Sequence, residues 1–278
     1  MINVLDLFSG IGGFTLASSW VGGYRTLAFC EIEGFCRDLL KQNFPGIPIF
    51  EDVKELHPED VSRQRQPVHL ITAGFPCQDL SQAGVRRGIK AERSGLFFEI
   101  LRLSDEFYAY SGVRPALLLE NVANILSGGK GEWARIVHGE VASRGYDCEW
   151  KIISAASVGA PHLRKRWWCI AYVAHSESKR VEGCRTSGEQ KSQTPVREEL
   201  SLCKGERSRA AERLSEPSVC GVASRIPNWI HEPDIPRVTT EKKNRAKRLK
   251  SLGNSIVPQC AMIPLIRFRE IFEEQNKT

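Results

Sequence analysis

No stretch of these 278 residues stays apolar long enough to cross a bilayer. The opening residues, Met1-Ile2-Asn3-Val4-Leu5-Asp6, put no positive charge ahead of the apolar run and an acid inside it, which is not the form of a secretory leader. None of the nine cysteines pairs with another as Cys-x-x-Cys, which argues against a zinc site and against a disulfide framework. No internal repeat is present. These absences predict a cytoplasmic chain with no membrane contact and no metal. What remains is ordinary for a globular protein: 41% hydrophobic and 26% charged residues, enough chain for one large domain with a smaller one appended.

Charge is unevenly placed. Residues 237 to 250 hold seven Lys/Arg (Arg237, Lys242, Lys243, Arg245, Lys247, Arg248, Lys250) against Glu241 alone, and this run accounts for the whole net charge of +6. Such a run attracts a polyanion through counterion release; a solvated helix face is the equally weighted alternative. Most of the cysteines have a bland reading too, and Cys30, Cys36, Cys169 and Cys260 fit small buried hydrophobes. Cys77 does not, because Gly74-Phe75-Pro76-Cys77-Gln78 is a rigid turn after an apolar run (Leu70-Ile71-Thr72-Ala73), a poor core-packing device and a good way to present a thiol.

The first two-thirds alternate apolar runs with amphipathic segments. Strands are predicted at 3–7, 26–30, 48–50, 69–73, 116–120, 151–155 and 168–173, with helices at 34–43, 96–110 and 132–143 among them. That alternation means βαβ units, hence an α/β fold with a mostly parallel sheet covered on both faces. Ligands of such sheets collect at the carboxyl ends of the strands. Phe8–Gly13, Glu31, Cys77 and Glu120 all fall there. From 175 to 236 the chain is rich in Ser, Glu, Lys, Arg and Gly and reads as a loop-rich insertion; order returns near Leu249, and 257–272 reads as a closing helix opened by Pro258.

The turn Phe8-Ser9-Gly10-Ile11-Gly12-Gly13 lets a ligand approach the backbone closely. By itself it is compatible with a nicotinamide or flavin. However, acids (Asp6, Glu31) flank it, and no phosphate-binding lysine is near, which suits a nucleoside that lacks phosphates and carries positive charge. Glu31 would accept bonds from ribose hydroxyls and Ile32 would pack on the adenine. Asp52 would bind the adenine amino group or, with nearly equal weight, cap a helix.

Phe8-Ser9-Gly10-Ile11-Gly12-Gly13, Gly74-Phe75-Pro76-Cys77-Gln78, Glu120-Asn121-Val122, Arg164-x-Arg166 and Gly253-Asn254-Ser255-x-Val257-Pro258 together resemble the DNA (cytosine-5-)-methyltransferase family, in the family's order, over roughly residues 1–173 and 249–265. The resemblance implies a Rossmann-like methyltransferase fold that uses S-adenosylmethionine, with a catalytic domain of residues 1–174 and 249–278. The small inserted target-recognition region would be 175–248. It implies that the Cys77 thiolate adds to C6 of a cytosine flipped out of duplex DNA, making C5 able to take a methyl group. Glu120 would bond to N3 and the exocyclic amine, and Arg164 and Arg166 would hold O2 and orient thiol and acid. The cofactor set would be Asp6, Phe8, Ser9, Gly10, Gly12, Gly13, Glu31, Ile32, Asp52, Pro76, Leu96, Asn254 and Ser255, the last two in a strand-to-helix turn. For Leu96 a helix-core role, and for Pro76 a plain loop role, are the competing readings. Ser81, Arg86, Arg87 and Arg93 match a mobile loop that closes over DNA, and Lys242, Lys243 and Arg245 would meet its backbone.

The chain also departs from the family. His162 stands where Gln is common, Arg245 and Arg248 match an Arg-Leu-Thr-rich motif only loosely, and the recognition region is short. The family usually acts as a monomer, and a companion restriction endonuclease is compatible with it. The other readings are a catalytically silent nucleic-acid-binding homologue and an RNA cytosine-5 methyltransferase. A Rossmann oxidoreductase explains neither Pro76-Cys77-Gln78 nor Glu120-Asn121-Val122.

Overall fold

The computed structural model describes residues 1–76, 95–173 and 244–277. Seven strands, β1 (Ile2–Leu7), β2 (Tyr24–Cys30), β3 (Ile49–Phe50), β4 (Leu70–Gly74), β5 (Ala116–Val122), β6 (Asp147–Ser154) and β7 (Lys165–Tyr172), form one sheet in the order β3-β2-β1-β4-β5-β7-β6. The first five run parallel; β7 is antiparallel to both β5 and β6. The helices are α1 (Gly13–Val21), α2 (Gly34–Asn43), α3 (Pro58–Val61), α4 (Leu96–Ser111), α5 (Glu132–Ala142), α6 (Arg245–Asn254) and α7 (Pro258–Gln275). Among the described residues no helix is long and apolar enough to cross a membrane.

The central strands are apolar at successive positions because both their faces are covered. Leu5, Ile71, Leu117 and Leu119 pack under α4 (Phe97, Ile100, Leu101) and α5 (Val137, Val141). Val4, Leu70, Leu118 and Ile170 pack under α1 (Phe14, Ala17) and α7 (Leu265, Phe268). β6 is an edge strand, and its Asp147, Glu149 and Lys151 interrupt the apolar pattern; charge at an edge blocks pairing with another chain. That interruption explains why periodicity finds only the last part of β6.

The strand order reverses between β1 and β4, so the turn after β1 and the turn after β4 lie side by side at the place where open α/β sheets bind ligands. The β6–β7 hairpin adds a reversal that alternation alone does not predict. Because β7 runs backwards, its first residues, not its last, lie at the carboxyl end of β5: Val122 pairs with Arg166 and Glu120 with Trp168.

The expected boundary between 248 and 249 falls inside α6, which begins at Arg245. Asn254 and Ser255 do not stand in a strand-to-helix turn. They join two helices, Asn254 as the last residue of α6 and Ser255 as its C-cap before α7. The run Arg-Ala-Lys-Arg-Leu-Lys is made of good helix formers and has no β-branched residue, so helix is its local preference. Of the expected recognition region 175–248, only 244–248 is described, and it leads into the exposed start of α6.

Candidate active site

β1 delivers the glycine turn. Ser9 ties it down, its hydroxyl donating to Asp6 O at 2.6 Å and its N–H to Cys30 O at 3.2 Å. The three glycines do different work. Gly12, at φ +87°, would place a Cβ 2.4 Å from Phe44 Cε2, and a Cβ on Gly13 would meet Ile256 Cγ1 at 2.6 Å. Gly12 therefore makes room for the end of α2, and Gly13 for the turn between α6 and α7. Gly10, at φ +54°, has nothing within 4 Å of a built Cβ, so it is the glycine beside which a ligand can lie.

Glu31, at the end of β2, is buried, and its carboxylate accepts from Gly10 N at 2.7 Å and from Glu33 N at 2.9 Å. Each oxygen keeps a lone pair for a ligand hydroxyl. Ile32 beside it is a large apolar side chain left 60% exposed. Asp52 is half-buried and its Oδ1 accepts from Lys54 N at 3.0 Å; the segment is a turn, so the helix-cap alternative takes the form of an Asx turn that engages one of the two carboxylate oxygens. Phe8 is half-buried at a left-handed φ of 52°, Leu96 is the partly buried first residue of α4, and Asn254 is exposed.

Asp6 corrects the expectation for it. With none of its surface exposed, it lies beneath the turn and accepts from Thr15 Oγ1 at 3.1 Å and Thr72 Oγ1 at 2.9 Å. Burial, opposed by these two hydroxyls, pushes its carboxyl up to about 7. It supports the turn from below and does not face a ligand.

The second half of the site is built by β4, β5 and β7. Gly74 is in register with Glu120, and a Cβ on Gly74 would stand 3.4 Å from Glu120 Oε2. Glu120 is buried and pairs with Arg166 Nε at 3.0 Å. Burial raises its pKa to about 7, against the lowering pull of Arg166 and, next, Arg164. Asn121 Nδ2 donates to Phe75 O at 2.9 Å, fastening the Phe75-Pro76 turn to β5. In the sequence, Glu120-Asn121-Val122 stands out as a motif without giving Asn121 a task. This bond is that task.

Arg164 and Arg166 part company. Arg166 meets the carboxylate, whereas Arg164 Nη2 donates to Gly253 O at 2.8 Å and Ser255 O at 2.6 Å. Arg164 sits at a left-handed φ of 32°. It thus caps the C-terminus of α6, a helix with no buried residue. Lys250 of that helix pairs with Glu33, and Ser251 Oγ lies 3.3 Å from Cys36 Sγ. Arg245 is exposed at its start. Behind the glycine turn, Gly12, Gly13, Leu39, Phe44, Arg164, Leu252 and Ile256 are among the walls of a cleft of about 640 Å³. The cleft shares Gly12, Gly13 and Ser255 with the expected cofactor set but not Glu31, Ile32 or Asp52.

Cys77, Ser81, Arg86, Arg87, Arg93, Lys242 and Lys243 lie outside the described residues; Pro76, bonded to Cys77, is the last described residue of its segment and is exposed. Cys30, Cys36, Cys169 and Cys260 are buried.

This geometry has relatives. The chain is 34% identical over 165 residues to the type II methyltransferase M2.BsuMI of Bacillus subtilis (strain 168), a match covering 59% of this chain and 40% of that protein. It is 33% identical over 178 residues to the type II methyltransferase M.CviJI of Paramecium bursaria Chlorella virus IL3A, covering 64% and 45%. The chain thus spans less than half the length of these curated relatives. Among solved structures it resembles the S. pombe Dnmt2 methyltransferase, with a TM-score of 0.50 at 23% identity over 64% of this chain and 53% of that one. A mutant DNMT2 of Spodoptera frugiperda gives 0.51 at 21% identity over 66% and 54%. These likenesses show the fold, an α/β Rossmann-like methyltransferase fold. Residues 2–208 match the profile of the C-5 cytosine-specific DNA methylases. That match takes in most of the sequence, and the chain belongs to the C-5 cytosine-specific DNA methylase family.

Proposed function

We propose that this chain is a DNA cytosine-5 methyltransferase that uses S-adenosylmethionine and acts on a cytosine flipped out of duplex DNA. The observation that carries the reading is the buried Glu120 paired with half-buried Arg166, set one strand away from the turn whose next residue is Cys77. A relic freed from catalysis has no reason to keep a carboxyl buried at that spot.

The residues present fit the cofactor. Gly10 leaves open space, Glu31 has lone pairs for ribose hydroxyls, Ile32 offers an apolar face for adenine, and Asp52 has its other carboxylate oxygen for an amino group. Phe8, Ser9, Pro76, Leu96 and the Asn254-Ser255 turn would complete the pocket, with Gly12, Gly13 and Asp6 holding its floor. Bound there, S-adenosylmethionine supplies a sulfonium methyl group to the activated C5.

The chain's own groups do the activating. The Cys77 thiolate adds to C6, and the ring electrons move toward C5 and N3. Glu120 gives N3 a proton or a strong hydrogen bond; a carboxyl held near 7 is still partly protonated at neutral pH. Arg166 keeps Glu120 oriented, and Arg164 locks the α6–α7 turn against the same edge. Once C5 carries the methyl group, its proton leaves to solvent and the thiolate is expelled.

In this reading residues 1–174 and the segment from the start of α6, 245–278, form the catalytic domain, and 175–244 reads the target. Ser81, Arg86, Arg87, Arg93, Lys242, Lys243 and Arg245 contact the DNA backbone. The enzyme works as a cytoplasmic monomer, paired with a restriction endonuclease or alone. The test is transfer of a tritiated methyl group from S-adenosylmethionine to duplex DNA, with tRNA as a parallel acceptor and Cys77→Ser as control. Label recovered as 5-methylcytosine from DNA, and lost in the variant, is expected. Label in tRNA alone, or none in either acceptor, would overturn the reading.

A further inference from the structure

In the β6–β7 hairpin Cys148 stands opposite Ala171, and Trp150 opposite Cys169. Cys148 and Cys169 are therefore diagonal neighbours on one face of the sheet. That face is covered by α5, whose Val137 and Val141 share a core cluster with Cys169. Between those two valines comes His138. Its ring and the two sulfurs present three donor atoms that all lie within 4.8 Å of one another. Trp167 and Trp150 flank the imidazole, with centroids 5.8 and 6.2 Å away. Cys169 is 1% exposed, while Cys148 and His138 are half-buried.

An inert core cysteine has no need of a second thiol and an imidazole at its side. Two thiolates and an imidazole are the donor set of a borderline-soft cation, and among the described residues no carboxylate joins the cluster to favour magnesium or calcium. Tetrahedral zinc holds such donors roughly 3.5–3.8 Å apart, so side-chain adjustments of about 1 Å close the site. We propose that Cys148, Cys169 and His138 bind a zinc ion, with a water at the fourth position on the solvent side of Cys148 and His138. Binding releases the thiol protons to solvent and forms two Zn–S bonds and one Zn–N bond. The ion would pin α5 to the hairpin whose β7 strand carries Arg166. The inference does not depend on the methylation reading. The expectation of no metal rests on the lack of a Cys-x-x-Cys knuckle, and a cross-strand pair separated by 20 intervening residues has no such spacing.

The full chain, stripped with chelator under reducing conditions, should be titrated with zinc and, separately, with cobalt(II). Wild type is expected to bind one equivalent more than Cys148→Ser or His138→Gln, with affinity at least roughly a hundredfold higher at that site. Cobalt should bring thiolate-to-metal charge-transfer absorption that Cys148→Ser removes, and zinc should raise the melting midpoint of wild type only. Both substitutions are at half-exposed positions, so the test does not rely on disturbing buried Cys169. Equal metal uptake by wild type and both variants, or cobalt binding without charge-transfer absorption, would overturn the proposal.

Discussion

Replacing Glu120 by Gln keeps the shape of the side chain and removes its titration. Folding takes this carboxyl from 4.5 to about 7, chiefly through burial. Between those two values the folded protein binds the proton more tightly than the unfolded chain does. Stability therefore falls as the pH rises from about 4.5 to 7 and is flat beyond. At about 1.4 kcal/mol per pH unit, keeping Glu120 ionised in its site costs roughly 3 kcal/mol. Asp6, also raised to about 7, gives the same trend, but it is present in both proteins and cancels in their difference. Urea unfolding of wild type and Glu120→Gln from pH 4 to 8.5 should give nearly equal free energies at the acid end. The variant should be more stable by roughly 3 kcal/mol at the alkaline end. Methylation by the same variant should fall by at least about a hundredfold at every pH, since an amide cannot pass a proton to N3. A difference that does not change with pH, or a wild type more stable than the variant at pH 8.5, would refute the argument.

Gly12→Ala combines a left-handed φ, costing about 1–2 kcal/mol, with a Cβ at 2.4 Å from Phe44, costing about 1–3 kcal/mol. The urea midpoint should drop sharply, whereas Gly10→Ala, with open space around it, should lose little stability and mainly weaken binding of S-adenosylmethionine in calorimetry. Asn121→Ala strands Phe75 O, a loss of about 1–3 kcal/mol. Because it frees the turn before Cys77, kcat should fall by roughly 10–100-fold at temperatures where the variant remains folded by circular dichroism. Neutralising Lys242, Lys243 and Arg245 together should make the slope of log affinity for duplex DNA against log salt shallower, by about 1 for each phosphate that the variant no longer neutralises. An unchanged slope would return the basic run to a solvated helix face.

The parallel half of the sheet is legible in the sequence because its strands are short, mostly apolar runs set off by amphipathic helices; Gly34–Asn43 is a helix over the residues its pattern predicts. The chain's turn chemistry likewise announces the site: Gly10, Glu31 and Glu120 each lie at a strand's carboxyl end. What periodicity does not carry is direction. Nothing in Trp167-Trp168-Cys169-Ile170 says that β7 runs antiparallel, and that reversal alone brings Arg166 to Glu120. Nor does residue type tell neighbours apart. Arg164 and Arg166 look alike in sequence, yet one holds a carboxylate and the other caps a helix. Asp6 reads as a ligand-facing acid because an acid beside a glycine turn usually is one; its burial against Thr15 and Thr72 is a tertiary fact. α6 escapes the pattern because its composition is strongly polar, and polar bonds to residues distant in sequence hold it to the domain in place of a buried face.

The most direct test of the account is whether the Cys77 sulfur becomes bonded to the base. Incubation with S-adenosylmethionine and a duplex in which cytosine is replaced by 5-fluorocytosine blocks release, since no proton can leave C5. A protein–DNA adduct that survives denaturation, requires the cofactor, and maps by mass spectrometry to the peptide containing Cys77 is predicted. A folded, cofactor-binding protein that methylates ordinary duplex but forms no such adduct, or forms it equally in Cys77→Ala, would contradict it.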